Sequence, residues 1–282
     1  IQGQYLNLVI SPETWGSAKE FTFPAIGINY AGEGGLVQEG FGVANPYIPS
    51  RRLNEQLETV EPAGDHPIVR YTYDCDGPNI KGLHVTRTME AYPNEASLLV
   101  HWKLENKGTE AQWVAPWVRN PVAPGGSLDS NDRVDIPTLA GVRHVSTTAY
   151  YPASRNWAAV TDMAAAVSIC GVFNADQTHS FLAVWDPESK RCGFQAAFLP
   201  RMLNPGDTWE TAYRLNLARG LKHVDFATDE LAAQIDYSAG KLVMLLSAIR
   251  KIDGLQVHAG VAATNGRVWK LPPKAFNIDP NV

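Results

Sequence analysis

The feature that most limits what this chain can become is a hydrophobic period of two, interrupted every few residues by glycine or proline. The 23 glycines and 19 prolines of the 282 residues are dispersed along the chain and not gathered in one linker. They bracket short segments rich in Val, Thr, Tyr, Trp and Leu, the habit of an all-β domain. Strands are predicted over Ile68–Tyr73, Leu83–Ala91, Ser97–Glu105, Gln112–Arg119, Ala165–Phe173, His179–Trp185 and Trp209–Leu217. In Ser97–Glu105, Leu98, Val100, Trp102 and Leu104 alternate with Leu99, His101 and Lys103, so one face is apolar and the other mixed. Pro93-Asn94-Glu95 and Glu105-Asn106-Lys107-Gly108 read as hairpin turns, and Gly32-Glu33-Gly34-Gly35 as a turn with no helix after it.

Few segments look helical. Thr228 is placed to cap a short helix through Ile235, and Lys241–Ile252 fits either a helix or a buried strand, with a hairpin turn at Asp253-Gly254. The last dozen residues, with Pro272-Pro273 and Asp279-Pro280, read as a tail or linker. No internal repeat is present. The expected organisation is one large sandwich over residues 1–237, with 238–282 supplying additional strands and a tail, or the start of a further domain.

A chain of this length buries a sizeable core without disulfides. Its formal net charge of −5 offers no basic field for phosphate backbones, so nucleic acid is not an expected partner. No stretch reaches the roughly 18 apolar residues of a membrane helix, and a membrane is not expected either. Cys75, Cys170 and Cys192 are odd in number and widely spaced, which gives neither a disulfide framework nor a C-x-x-C metal pair. The first residues, Ile1-Gln2-Gly3-Gln4, carry no initiator Met and no basic-then-apolar leader, so a trimmed or processed chain is expected. The compartment stays open, a secreted or periplasmic one being the candidate. The oligomeric state is not legible.

Three segments bear chemistry. In Asn45–Glu55, Arg51 and Arg52 stand beside Asn54, and guanidinium forks suit sugar hydroxyls or carboxylates, although exposed arginines are common on any surface. In Trp113–Pro121, Trp113, Trp117, Arg119 and Asn120 combine indole faces, on which sugar C–H groups pack, with hydrogen-bonding groups. Alternation places the two tryptophans on one side, which fits a sugar platform and a sandwich core equally. Asp129–Asp135 clusters oxygen ligands but lacks the spacing of a calcium loop, so a solvated acidic turn is favoured. The seven histidines form no H-x-H or H-E-x-x-H pattern, and a zinc site would need ligands assembled from afar. His101 and His144 are pocket candidates. No nucleophile elbow, phosphate loop or dinucleotide fingerprint occurs, and no metal or cofactor is expected.

Several segments, taken in order over roughly residues 4–235, resemble the aldose 1-epimerase (galactose mutarotase) superfamily. Pro46-Tyr47-Ile48 with Arg51, Arg52 and Asn54 is similar to its substrate-binding P-Y-x-G-R-x-x-N-R stretch. Leu83–Glu90 and Ser97–Asn106 resemble its paired central strands, and Val114–Val122 follows where the family carries N-H-S-Y-F-N. Phe198–Asp207 is similar to its L-x-P-G-[DE] turn. The resemblance implies an antiparallel β-supersandwich of two or three packed sheets with a sugar cleft on a concave face. Family members open a sugar ring with a Glu base and a His acid. Trp117 stands at the His position here and Gln195 near the Glu position. Trp cannot deliver a proton to the ring oxygen and Gln cannot accept one, so the resemblance implies a sugar surface without ordinary mutarotase chemistry.

Three functions follow as expectations. The first is carbohydrate binding through Arg51, Arg52, Asn54, Trp117, Arg119 and Gln195, in a protein of polysaccharide processing. The second is an epimerase, lyase or glycoside-processing enzyme that uses Glu39 as base with His101, His144 or Tyr47 as acid, and an arginine to neutralise a uronate. It requires Glu39 and a histidine to converge in one cleft. The third is a structural assembly domain.

Overall fold

The computed structural model describes residues 1–42, 52–60, 66–258, 260–262 and 265–280. Among them the regular structure is antiparallel strand apart from two single turns of 3-10 helix. One large sheet has nine strands, in the order Gly141–Val145, Asp132–Thr138, Trp157–Asp162, Val167–Val172, Thr208–Arg219, Ser97–Asn106, Leu83–Glu90, Ile68–Cys75 and Arg52–Val60. Facing it is a five-stranded sheet in the order Ala149–Pro152, Thr178–Asp186, Arg191–Phe198, Trp117–Val122 and Gln38–Gly40.

The alternation read in the sequence decides which residues lie between the sheets. Leu98, Val100, Trp102 and Leu104 are buried on the inner face of the nine-stranded sheet, while His101 on the same strand is exposed on the outer one. Val118, Phe181, Phe194, Ala196 and Phe198 line the inner face of the five-stranded sheet. Trp102 meets Phe198 across the gap at 6.1 Å between ring centroids and Trp209 edge-on at 5.2 Å. Each such ring removes well over 100 Å² from water, so the aromatic layer supplies much of the drive to pair the sheets. A smaller core lies on the opposite face of the nine-stranded sheet. There Trp157, Ala159, Cys170, Val172 and Ala218 are covered by Leu221, Val224, Ala227 and Ala232 from the segment that leaves the last long strand.

All seven predicted strands are present. The Gln112–Arg119 run is divided, because Ala115-Pro116 breaks the ladder: Gln112–Val114 pairs with Arg201–Leu203, and Trp117–Val122 joins the five-stranded sheet. Trp113 and Trp117 therefore do not share a platform. The turn at Pro93–Glu95 joins two paired strands as expected. Glu105–Gly108 is a turn but not a hairpin, since the strand after it pairs elsewhere. The expected helix at Thr228–Ile235 is instead a turn and the strand Leu231–Ser238; the Thr228 hydroxyl accepts from the Glu230 and Leu231 amides, capping the turn. Lys241–Ala248 resolves to a strand paired with it. Asp253-Gly254 makes a bulge, with Gly254 at φ 70°, inside the strand Ile252–Val257. That strand pairs with Lys274–Ile278, so part of the expected tail is ordered structure. Asp129–Asn131 turns as predicted, but Asp132 and Asp135 enter a strand and are buried.

The three cysteines are free and buried, Cys75 and Cys192 between the sheets and Cys170 in the smaller core. Burial pushes all three thiols up, that of Cys192 to about 12.

Candidate functional site

The outer face of the five-stranded sheet carries a cleft of about 1150 Å³. Strand register builds its floor. Gln38 lies opposite Arg119, Arg119 opposite Gln195, and Gln195 opposite Leu182, so a row of long side chains crosses four adjacent strands. Neighbouring strands lie about 4.8 Å apart, so these heads stand side by side along the floor. Trp15, Glu33, Thr148, Asp186 and Arg191 contribute to the walls.

Within the row the groups have separate duties. The Gln38 amide donates to the Glu33 carbonyl at 3.0 Å and the Gly35 carbonyl at 2.8 Å, which fixes its oxygen. Arg119 donates to that oxygen through Nε at 3.1 Å and through Nη2. Its Nη1 has no hydrogen-bond partner among the described residues. The Gln195 amide has no partner among the described residues and presents both a donor and an acceptor. Lost hydration and the nearby Arg191 pull the Arg119 guanidinium below its ordinary range, with Glu33 opposing, yet it stays charged. Asp186 is held down to about 2, first by the Ser189 hydroxyl, then by the Ser189 amide and Arg191. It is an acceptor here and not a proton donor.

Trp117 projects from the same face one row along, opposite Gly40 on one side and Ala197 on the other. Its Nε1 donates to the Gly42 carbonyl at 2.7 Å. Its ring lies on Gly40 so closely that a Cβ there would come within 2.2 Å of the indole. Glycine at position 40 is what lets the ring lie flat.

Glu39 points the other way. It is buried between the sheets, accepts from the Tyr73 hydroxyl at 3.0 Å and pairs with Arg87, which also donates to the carbonyls of Val37 at 2.9 Å and Trp15 at 2.8 Å. Arg52 lies 3.9 Å from the same carboxylate, sandwiched between the Trp15 and Tyr73 rings at 4.4 and 4.8 Å. His101 sits on the outer face of the nine-stranded sheet, 3.5 Å from Glu90, beside a separate polar depression that also involves Arg70, Lys103 and Glu210. Glu39 and His101 thus lie on opposite faces of that sheet and do not converge. Asn54, at φ 54°, donates to Asp74 at 2.7 Å on the strand at the edge. Arg51, together with Asn45–Ser50, lies outside the described residues.

Arg119 and Gln195 thus line the cleft together, Trp117 stands on the same sheet face beside it with its ring on Gly40, and Arg52, Asn54, Glu39 and His101 lie apart from them. Sequence reasoning missed Gln38 and Trp15. Alternation dictates that only one of Gln38 and Glu39 can reach the cleft, without saying which.

No family model matches this chain, and no curated protein matches it by sequence. Solved structures do match it by shape. A galactose mutarotase-like protein from Clostridium acetobutylicum superposes with a TM-score of 0.57 at 10% identity, covering 77% of this chain and 94% of its own. A galactose mutarotase-like protein from Lactobacillus casei gives 0.55 at 11%, covering 77% and 98%. A protein from Escherichia coli K12 described as a putative aldose 1-epimerase gives 0.53 at 10%, covering 78% and 98%. With two large antiparallel sheets packed face to face and these matches over three quarters of its length, the chain has the galactose mutarotase-like β-supersandwich fold.

Proposed function

We propose that this protein binds carbohydrate in the cleft of the five-stranded sheet and does not carry out mutarotation there. The observation that carries the reading is the Gln38–Arg119–Gln195 row, a fixed guanidinium fork beside an unspent amide across three strands. Such alternating donors and acceptors match vicinal hydroxyls, and Arg119 with Arg191 also suits a carboxylate-bearing sugar. The acid and base positions implied by the mutarotase resemblance are Trp117 and Gln195, neither of which transfers a proton at neutral pH. The nearby Asp186 is too strong an acid to replace them. Arg52 supports the cleft from behind by holding Trp15.

The test is a glycan array of neutral and acidic oligosaccharides, followed by calorimetry on the best ligand. Binding near a Kd of ~1 mM is expected for a short glycan. Arg119→Ala should weaken it at least tenfold, with no acceleration of aldose mutarotation by the unaltered protein. Absence of binding to every glycan, or binding that Arg119→Ala leaves unchanged, would overturn the reading.

A further inference from the structure

On the outer face of the nine-stranded sheet, outside the cleft, two histidines and an aspartate meet. We propose that His144, His223 and Asp225 form a binding site for one divalent transition-metal ion, zinc by the character of its donors. Their ligating atoms all lie within 4.8 Å of one another. His144 Nε2 is 3.6 Å from an Asp225 oxygen and His223 Nε2 is 3.0 Å from the other. Ligand atoms about 2.0–2.1 Å from a tetrahedral zinc stand roughly 3.3 Å apart, so these separations close onto an ion by small side-chain shifts. Two imidazoles and one carboxylate, with a fourth position for water, are a donor set that zinc favours over magnesium or calcium.

What distinguishes the cluster from a chance meeting of surface residues is the support behind it. His144 Nδ1 lies 2.7 Å from Asp135, which is fully buried. Asp135 is itself fixed, accepting from the Thr161 hydroxyl at 2.7 Å and the Val224 amide at 2.9 Å. A carboxylate on one ring nitrogen sets the tautomer that presents a lone pair from the other, the arrangement that holds metal-binding histidines. Asp225 accepts from the Ile235 amide at 2.6 Å, and the two imidazoles pack edge to face at 4.6 Å. Asp236 stands 3.8 Å from His223 and adds negative charge.

The ligands come from two parts of the chain. His144 belongs to the edge hairpin Asp132–Val145, whereas His223 and Asp225 belong to the segment that covers the smaller core. An ion held by all three would staple that covering segment to the sheet edge.

The experiment is zinc titration of the full chain, stripped with a chelator, followed by calorimetry and thermal unfolding. One equivalent should bind at micromolar or tighter Kd and raise the melting temperature. His144→Ala and His223→Ala should each weaken uptake at least tenfold, Asp135→Asn tenfold or more through the ring it orients, and His101→Ala not at all. Cobalt absorption provides a readout independent of variant folding, because a four-coordinate site gives intense visible bands and casual surface binding does not. No stoichiometric uptake, uptake unaltered by His223→Ala, or cobalt spectra of a six-coordinate ion would each overturn the proposal.

Discussion

Glu39 between the sheets and Asp225 on the outer face are both carboxylates surrounded by cationic or cation-forming groups, and the company each keeps is different. Glu39 is paired with Arg87, each side chain 2% exposed, with Arg52 behind them. A guanidinium never gives up its proton in a protein, so the cation beside Glu39 is permanent and fills its place. Asp225 is flanked by His144 and His223, with side chains 19%, 27% and 17% exposed. A neutral imidazole nitrogen carries a lone pair, and these rings are reached by water, so this cluster has donors to offer another cation. The lesson is that burial with arginine makes a carboxylate into scaffold, and half-burial with histidine leaves it open to chemistry. Choosing Glu39 as a base from sequence fails on that distinction.

The comparison breaks most visibly at Arg87. Arg87→Met leaves the buried Glu39 with Arg52, 3.9 Å away, and the Tyr73 hydroxyl in place of its closest partner, and should lower the unfolding free energy by about 2–4 kcal/mol in denaturant titration. A loss below about 1 kcal/mol would mean that Glu39 reaches water, and the contrast would fall.

Asp132 sharpens the comparison, since it is a buried carboxylate given neither arginine nor histidine. Desolvation first, with Asp129 and Asp162 adding repulsion and the Asp129 amide opposing, pushes its carboxyl up to about 6. The Cys192 thiol is the other titratable group it faces. A raised value means that folding prefers the protonated form. This contribution is complete below the ordinary 3.8 and is lost as pH rises through about 6. Asp132→Asn, which keeps an acceptor for the Asp129 amide, should remove that decline, leaving the variant about 1–2 kcal/mol better relative to the unaltered protein at pH 7 than at pH 4. Parallel stability profiles for the two proteins would refute the assignment.

The smallest effect belongs to the half-exposed cluster. Without metal, His223→Ala should change stability by less than about 1 kcal/mol, because water replaces the lost imidazole. A cost as large as that of Arg87→Met would place His223 among the scaffold residues.

Period-two alternation made the large sheets legible. It sorted Leu98, Val100, Trp102 and Leu104 inward and His101 outward correctly. It could not settle Gln38 against Glu39, since a three-residue strand that ends in Gly40 carries too little pattern to fix parity. It misread Asp129–Asp135 as solvated throughout, because an aspartate in a strand looks like a turn residue until its partners Thr161 and Val224 are known. His144 and His223 share no motif. Only the fold of the covering segment joins them, so the sequence offered no reason to expect a metal there. Thr228 was a true cap placed on the wrong element: its hydroxyl satisfies turn amides as readily as those of a helix.

The three sequestered thiols give the molecule its own clocks. Each is chemically silent while its surroundings stay closed, because the reactive thiolate is suppressed. Cys75 is on a strand of the large sheet next to its edge, Cys192 in the facing sheet and Cys170 under the covering segment. Pulse alkylation read by mass would therefore time the opening of three compartments separately, with no label introduced and no residue changed.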